Sequence, residues 1–198
     1  MHPKDIVIAF LLMSVYFPSF GHKQSVSLLR TGRNDGTRTG FYSNCGFGYA
    51  FYIPKNFIGH GSPDGTPQHG LVIPLSTQPE TYVWVDGSFN ALDWRTLDDA
   101  ATFYRKALND RGDNVSIVQR RVTKLGHLHA LWLTFSYNER LSSSTRIEEI
   151  ILARRKSERE AEIIYTLGLK TPRKGYERNR RTFQRVLQTW WLKPLPCT

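Results

Sequence analysis

Cysteine is nearly absent: the 198-residue chain has two, Cys45 and Cys197. That is too few for a disulfide-dense scaffold, and residues so far apart lack the spacing of a thiolate zinc site. Long apolar runs are missing as well. The stretch Ile6 to Tyr16 (IVIAFLLMSVY) spans eleven residues, about half of the ~20 that a membrane helix needs. Acidic residues are scarce, 17 against 27 Lys and Arg, for a net charge of +10. Such a chain is drawn to polyanions or to an acidic partner. No Gly-x-Ser-x-Gly nucleophile elbow occurs. The carboxylate pairs Asp98-Asp99 and Glu148-Glu149 are adjacent residues, whose side chains diverge on a helix or strand, so neither makes a convergent acid–base site. We expect solvated faces there, no cofactor, and no enzyme.

Aromatic residues, by contrast, are plentiful at 13%, within an apolar fraction of 40%, which is the composition of a packed globular domain. The first residues stand apart from that core. A short polar start with one lysine, the apolar run, and Ser19-Phe20-Gly21 have the layout of a secretory signal peptide cleaved after Gly21. The expected organisation is a signal peptide at 1–21, a basic, glycine-rich leader at 22–40 and one α+β domain at 41–198. Export implies a secreted or periplasmic protein. In an oxidising compartment the even pair Cys45 and Cys197 reads as a disulfide.

Along the domain, Cys45 to Pro54 reads as an aromatic strand ended by proline, His60 to Gly70 as a Gly/Pro loop, and Leu71–Leu75 and Thr81–Val85 as further strands. Pro74 marks the strand at 71–75 as an edge. Thr96 and Asp99 form a capping pair ahead of Leu97, Ala100, Ala101, Tyr104, Ala107 and Leu108 at helical spacing, predicting a helix over 96–109. Val115–Val122 and Leu128–Tyr137 read as strands, as do Thr145–Lys156 and Glu162–Lys170. The segment 145–162 is rich in helix formers, but a helical apolar stripe fails at Arg154, Arg155 and Glu158, so a charged-tipped hairpin is preferred over a helix. The last helix is expected over 176–191, burying Tyr176, Phe183, Val186, Leu187, Trp190 and Trp191.

This order, an antiparallel β-sheet packed against two main helices, is similar to the PsbP-like superfamily, whose members include extrinsic photosystem subunits and small bacterial envelope proteins. Three patterns carry the resemblance over about residues 45–192. They are the strand Tyr49-Ala-Phe-Tyr-Ile-Pro54, the helix Leu97–Leu108, and Ile163-Ile-Tyr-Thr-Leu-Gly-Leu followed by Tyr176, Phe183, Val186 and Leu187. The resemblance implies a sandwich used for binding and assembly, without enzymatic chemistry. It carries over no binding residues.

Candidate sites follow from residue types. Arg173, Lys174, Arg178, Arg181 and Arg185 gather on the start and outer side of the last helix as a surface for an anion or a partner. The aromatics of that helix fall on its apolar stripe, which leaves no stacking platform for nucleic acid. His127 and His129 point one way along a strand and are weak metal candidates, needing a third ligand such as His60, His69 or Asp64. Asp86, Ser88, Asn90, Asp93 and Trp94 form a polar loop before the first helix that serves as turn and cap. The function expected is an exported non-enzymatic module acting through protein–protein contacts, for instance a neutraliser of a secreted toxin. The alternatives are a binder of anionic envelope polymer or lipid surface through the basic helix, and a metal-dependent hydrolase using His127 and His129. Nucleic acid is a disfavoured partner for an exported chain.

Overall fold

The computed structural model describes residues 37–61, 69–140, 144–156 and 162–193. The expected signal peptide, most of the leader, Cys197 and the tip of the 145–172 hairpin lie outside them. The leader was expected to reach residue 40, but Thr37–Arg38 already forms a strand (β1). It pairs with Gly59–His60 (β4). Between them run Phe41–Asn44 (β2) and Tyr49–Tyr52 (β3). Cys45, expected to open a strand, lies in the turn between β2 and β3. Gly70–Thr77 (β5) and Glu80–Phe89 (β6) follow, then the helix Leu97–Arg111 (α1). The long strands Gly112–Leu125 (β7), Leu128–Glu139 (β8), Thr145–Lys156 (β9) and Glu162–Pro172 (β10) precede the helix Tyr176–Gln188 (α2) and a last short strand, Trp191–Leu192 (β11).

The strands form two sheets. One has eight strands in the order β1-β4-β5-β6-β10-β9-β8-β7, and the other has three, β11-β3-β2. All their pairings are antiparallel. Strand β5 is not the edge that Pro74 suggested, because β4 covers it. The cover is one residue pair long, His60 with Val72, and Pro74 falls beyond it beside a bulge, where no ladder donor is required.

Alternation along β9 distributes the core to both faces of the large sheet. Ile150 and Leu152 pack with Trp84, Leu131, Leu133 and Phe135 beneath Ala100 and Leu108 of α1. Ile151 and Ala153 face the other way, into a cluster with Tyr49, Phe51, Tyr165, Leu167, Phe183, Val186 and Trp190. That side is covered by α2 and the small sheet, so the order of layers is helix, sheet, then helix with small sheet. Helix α1 begins as expected: the Thr96 hydroxyl accepts the Asp99 amide, and the Asp99 carboxylate accepts the Thr96 amide at 2.9 Å. The 145–172 hairpin is also as expected, with β9 and β10 paired from Arg146↔Pro172 to Lys156↔Glu162.

Helix α2 is shorter than expected. It stops at Gln188, and Trp190 and Trp191, read as one buried stripe, part company. Trp190 is 5% exposed, whereas Trp191 is 38% exposed and opposite Ala50 in the small sheet. The local cause is Thr189, whose hydroxyl accepts the Tyr52 amide and lies 3.1 Å from the Arg185 carbonyl. Pairing with a strand some 140 residues earlier thus replaces the helix's last turn.

The solvated reading of Glu148-Glu149 is overturned. Glu148 is 3% exposed and Glu149 is completely buried. They do diverge, onto opposite faces of the sheet. Glu148 accepts the Tyr137 hydroxyl at 3.1 Å and Arg111 of α1 at 3.4 Å. Glu149 accepts the Tyr176 hydroxyl at 2.9 Å and Arg180 of α2 at 3.2 Å. Each helix is thereby keyed to one buried carboxylate, and each arginine offsets the cost of burying it.

Candidate binding face

The outer face of the small sheet carries an exposed trio of aromatic rings. Phe41 and Tyr52 are register partners on β2 and β3, and Trp191 lies opposite Ala50, two residues from Tyr52 and hence on the same face. Ring centroids are 5.4 Å apart for Phe41–Tyr52, 5.6 Å for Phe41–Trp191 and 6.0 Å for Tyr52–Trp191. Phe41 is 48% exposed and Tyr52 is 52% exposed. These rings cap Ala50, which is fully buried beneath them. On the same face, the Lys193 ammonium donates to the Ser43 hydroxyl at 2.9 Å. Beside the rings lies an open depression of roughly 510 Å³ bordered by Arg38, Phe41, Ser43, Asn44 and Phe47.

A stripe of cations runs from this platform along α2. Arg178, Arg181 and Arg185 are exposed and spaced i, i+3, i+7, so they share one side of the helix. The stripe ends at Thr189, which touches Tyr52, so it extends about 16 Å from the platform at the helical rise. Arg173 and Lys174 stand exposed ahead of the first turn. That end of the helix dipole is positive and disfavours cations, so the placement has an electrostatic cost that an anionic partner would relieve. None of the five side chains forms an ion pair with a described residue. Arg180, on the same helix, is engaged by Glu149. The sequence thus located the cations and missed the rings. Tyr52 is read locally as an alternating strand residue and Phe41 lies ahead of the strand expected at Cys45–Pro54, so only the β2–β3 and β11–β3 pairings bring the three rings together.

The other candidates are scattered. His127 and His129 are exposed, the first in the β7–β8 turn and the second on β8. Their proposed helper His60 sits on β4, five strands away in the sheet, or about 24 Å at the usual strand spacing. No group of three metal-ligating side chains occurs among the described residues. Of the expected loop, Asp86 and Ser88 instead fall on β6, while 90–94 does serve as a turn: the Asn90 amide donates to the Trp94 carbonyl at 2.9 Å and its oxygen accepts the Trp94 amide at 3.0 Å. Asp86 is held above the ordinary carboxylate range by burial, against the opposing charge of His69 and a hydrogen bond from Ser88.

No protein-family model matches the sequence, and no curated protein matches it. Solved structures do. LpqN of Mycobacterium tuberculosis, described as involved in cell envelope biogenesis, aligns over 74% of this chain and 83% of its own, with a TM-score of 0.57 and 13% identity. The PsbP protein of the cyanobacterium Synechocystis aligns over 83% of this chain and 98% of its own, with a TM-score of 0.51 and 15% identity. The Ran-binding protein Mog1p of Saccharomyces cerevisiae aligns over 79% and 96%, with a TM-score of 0.51 and 11% identity. The chain has the PsbP/Mog1 fold. Identities this low establish architecture alone, since one fold hosts many functions. In this PsbP/Mog1 sandwich the ring platform lies on the small sheet, and the cations lie on the helix beside it.

Proposed function

We propose that this chain is an exported, non-enzymatic binding or assembly module that holds a protein partner against the Phe41–Tyr52–Trp191 platform and the α2 cations. The supporting observation is the continuity of three exposed, clustered rings with a row of arginines that form no ion pair with a described residue. Trp, Tyr and Arg are the residues that dominate protein–protein hot spots. A neutraliser of a secreted toxin is one concrete form, with a single tight partner. The relatives in structure support the general class: Mog1p is described as Ran-binding and LpqN as acting in envelope biogenesis.

The test is affinity capture by residues 22–198 from native envelope or extracellular extract, beside Trp191→Ala and the triple variant Arg178→Glu/Arg181→Glu/Arg185→Glu. A specific protein retained at about 0.5 M salt, where screening leaves a reach of a few ångströms, and lost with Trp191→Ala supports the reading. Retention by both variants would end it. The cations, without an ion pair among the described residues, favour one second reading, attachment to anionic envelope polymer or lipid. In that case only polyanions are recovered, salt releases them, and the triple variant alone abolishes capture.

A further inference from the structure

The two edges of the eight-stranded sheet are unequal. One is β1, two residues long. The other is β7, fourteen residues long, with a row of outward backbone donors and acceptors that can pair with another strand. The first half of β7 is defended. Its pairing with β8 shifts between Asp113 and Ser116 and again between Ile117 and Gln119, and such bulges twist an edge away from further pairing. The second half has no such defence. From Gln119↔Thr134 to Leu125↔Leu128 the register is unbroken, giving about 23 Å of regular strand. At its centre stands Val122, 74% exposed, and just before it Val118, 63% exposed.

Charge limits what can occupy this edge. Between Ser116 and Leu125 there are three cations, Arg120, Arg121 and Lys124, and no acid. Arg120 meets Asp98 of α1 at 2.6 Å, with both side chains largely exposed, and such a pair is weak. Arg121 lies 3.9 Å over the Trp132 ring, and Lys124 has no ion-pair partner among the described residues. A second copy of the chain is a poorer occupant than an acidic segment, because it brings three further cations and no acid to the edge. Antiparallel self-pairing centred on Val122 sets Arg120 against Lys124 twice, and centring on Arg121 sets that residue against itself. Like charges directly opposed across strands are destabilising.

We propose that β7 from Gln119 to Leu125 is a docking edge that takes one extended acidic segment of a partner protein by strand addition. Backbone hydrogen bonds supply the affinity and the cations select the sequence. Carboxylates of the added strand lie beside Arg120 and Lys124 on one face of the sheet, and an apolar residue between them covers Val122. This edge is separate from the ring platform and stands or falls independently of it.

The probe is the peptide acetyl-Thr-Glu-Thr-Val-Thr-Glu-Thr-amide, which sets its two carboxylates and the valine between them on one face, added to the purified chain and read by hydrogen exchange at the β7 amides. Two charge-matched cross-strand pairs are worth roughly a factor of ten in binding. The Glu peptide is therefore expected to slow exchange of outward amides between Gln119 and Leu125, with Arg120→Glu/Lys124→Glu weakening it about tenfold. The lysine counterpart leaves exchange unchanged, and so does a fully N-methylated Glu peptide, which keeps every side chain and donates no hydrogen bond. No protection at millimolar Glu peptide overturns the proposal. So does equal protection by the lysine or the N-methylated peptide. Trp191→Ala leaves this response intact.

Discussion

Trp84 and Gly168 face each other across β6 and β10, and the indole of Trp84 occupies the space that a Cβ on residue 168 would fill. Trp84 is 6% exposed and lies in the cluster beneath α1, so it has no free volume into which to retreat. Gly168→Ala therefore forces the indole off its rotamer or parts the two central strands. Overpacking of this kind costs about 1–3 kcal/mol, and Gly168→Val costs more. Shrinking the opposing side chain tests the cause: Trp84→Leu should recover part of the loss in a Gly168→Ala background while being destabilising alone. Denaturant unfolding of the four proteins measures this, and strict additivity of the two changes would refute the contact.

The Glu149–Arg180 pair predicts a second asymmetry. Arg180→Met leaves a completely buried carboxylate that keeps the Tyr176 hydroxyl as a hydrogen-bond donor. Breaking one side of a buried pair costs ~3–5 kcal/mol, a fall in Tm on the order of 10 °C for a chain of this size. Adding Glu149→Gln removes the stranded charge, so the double variant should be more stable than Arg180→Met alone. Thermal unfolding with the double variant no better than the single one would mean that solvent, not Arg180, balances Glu149.

These two carboxylates also mark where the sequence stops being informative. The capping pair Thr96/Asp99 and the failure of a helical stripe at Arg154 and Arg155 are local patterns, and they placed α1 and the β9–β10 hairpin correctly. The burial of Glu148 and Glu149 depends on Arg111 and Arg180 arriving from 37 and 31 residues away, which no window along the chain contains. The candidate face divides the same way. Its cations are legible from helical spacing alone. Its rings come from β2, β3 and β11, and the decisive one, Trp191, reads as helical because Leu187, Trp190 and Trp191 continue an apolar stripe. The β11–β3 pairing overrides the local helical preference there.

Several tyrosines bear on stability in base. Tyr176 is pushed up from 10.0 to about 12, first by burial and then by the Glu149 carboxylate. Tyr82 and Tyr137 are raised as well, by burial first and then by Glu148. Since the unfolded tyrosine ionises first, their stabilisation is fully present below about pH 10 and declines as pH rises toward the folded value. For Tyr176 the window is about 10 to about 12. Urea midpoints should be level up to about pH 10 and fall beyond it. Tyr176→Phe loses a hydrogen bond to a charged group, about 1.5–3 kcal/mol at neutral pH, yet its decline above pH 10 is shallower. An unchanged alkaline slope in Tyr176→Phe would remove this residue from the account.

Cys197 lies outside the described residues, so the expected disulfide is kept as a proposal, and the end of the described chain shapes its test. The Lys193 amide donates to the Gly48 carbonyl at 2.8 Å, and its ammonium reaches Ser43 at 2.9 Å, so residue 193 is fixed on both sides of the Ser43–Gly48 turn. Cys45 is exposed within that turn. Cys197 is four positions beyond Lys193, a reach of up to about 14 Å when extended. Closing a loop of about 150 residues stabilises by ~4–5 kcal/mol on the chain-entropy model, less any strain. Peptide mapping without reductant, on protein recovered from an oxidising compartment, should yield a linked Cys45–Cys197 pair. Reduction should lower the unfolding free energy while leaving the Phe41–Tyr52–Trp191 platform in place, because β11 is held to β3 independently of the bridge. Quantitative labelling of both thiols in unreduced protein would show that the bridge does not form.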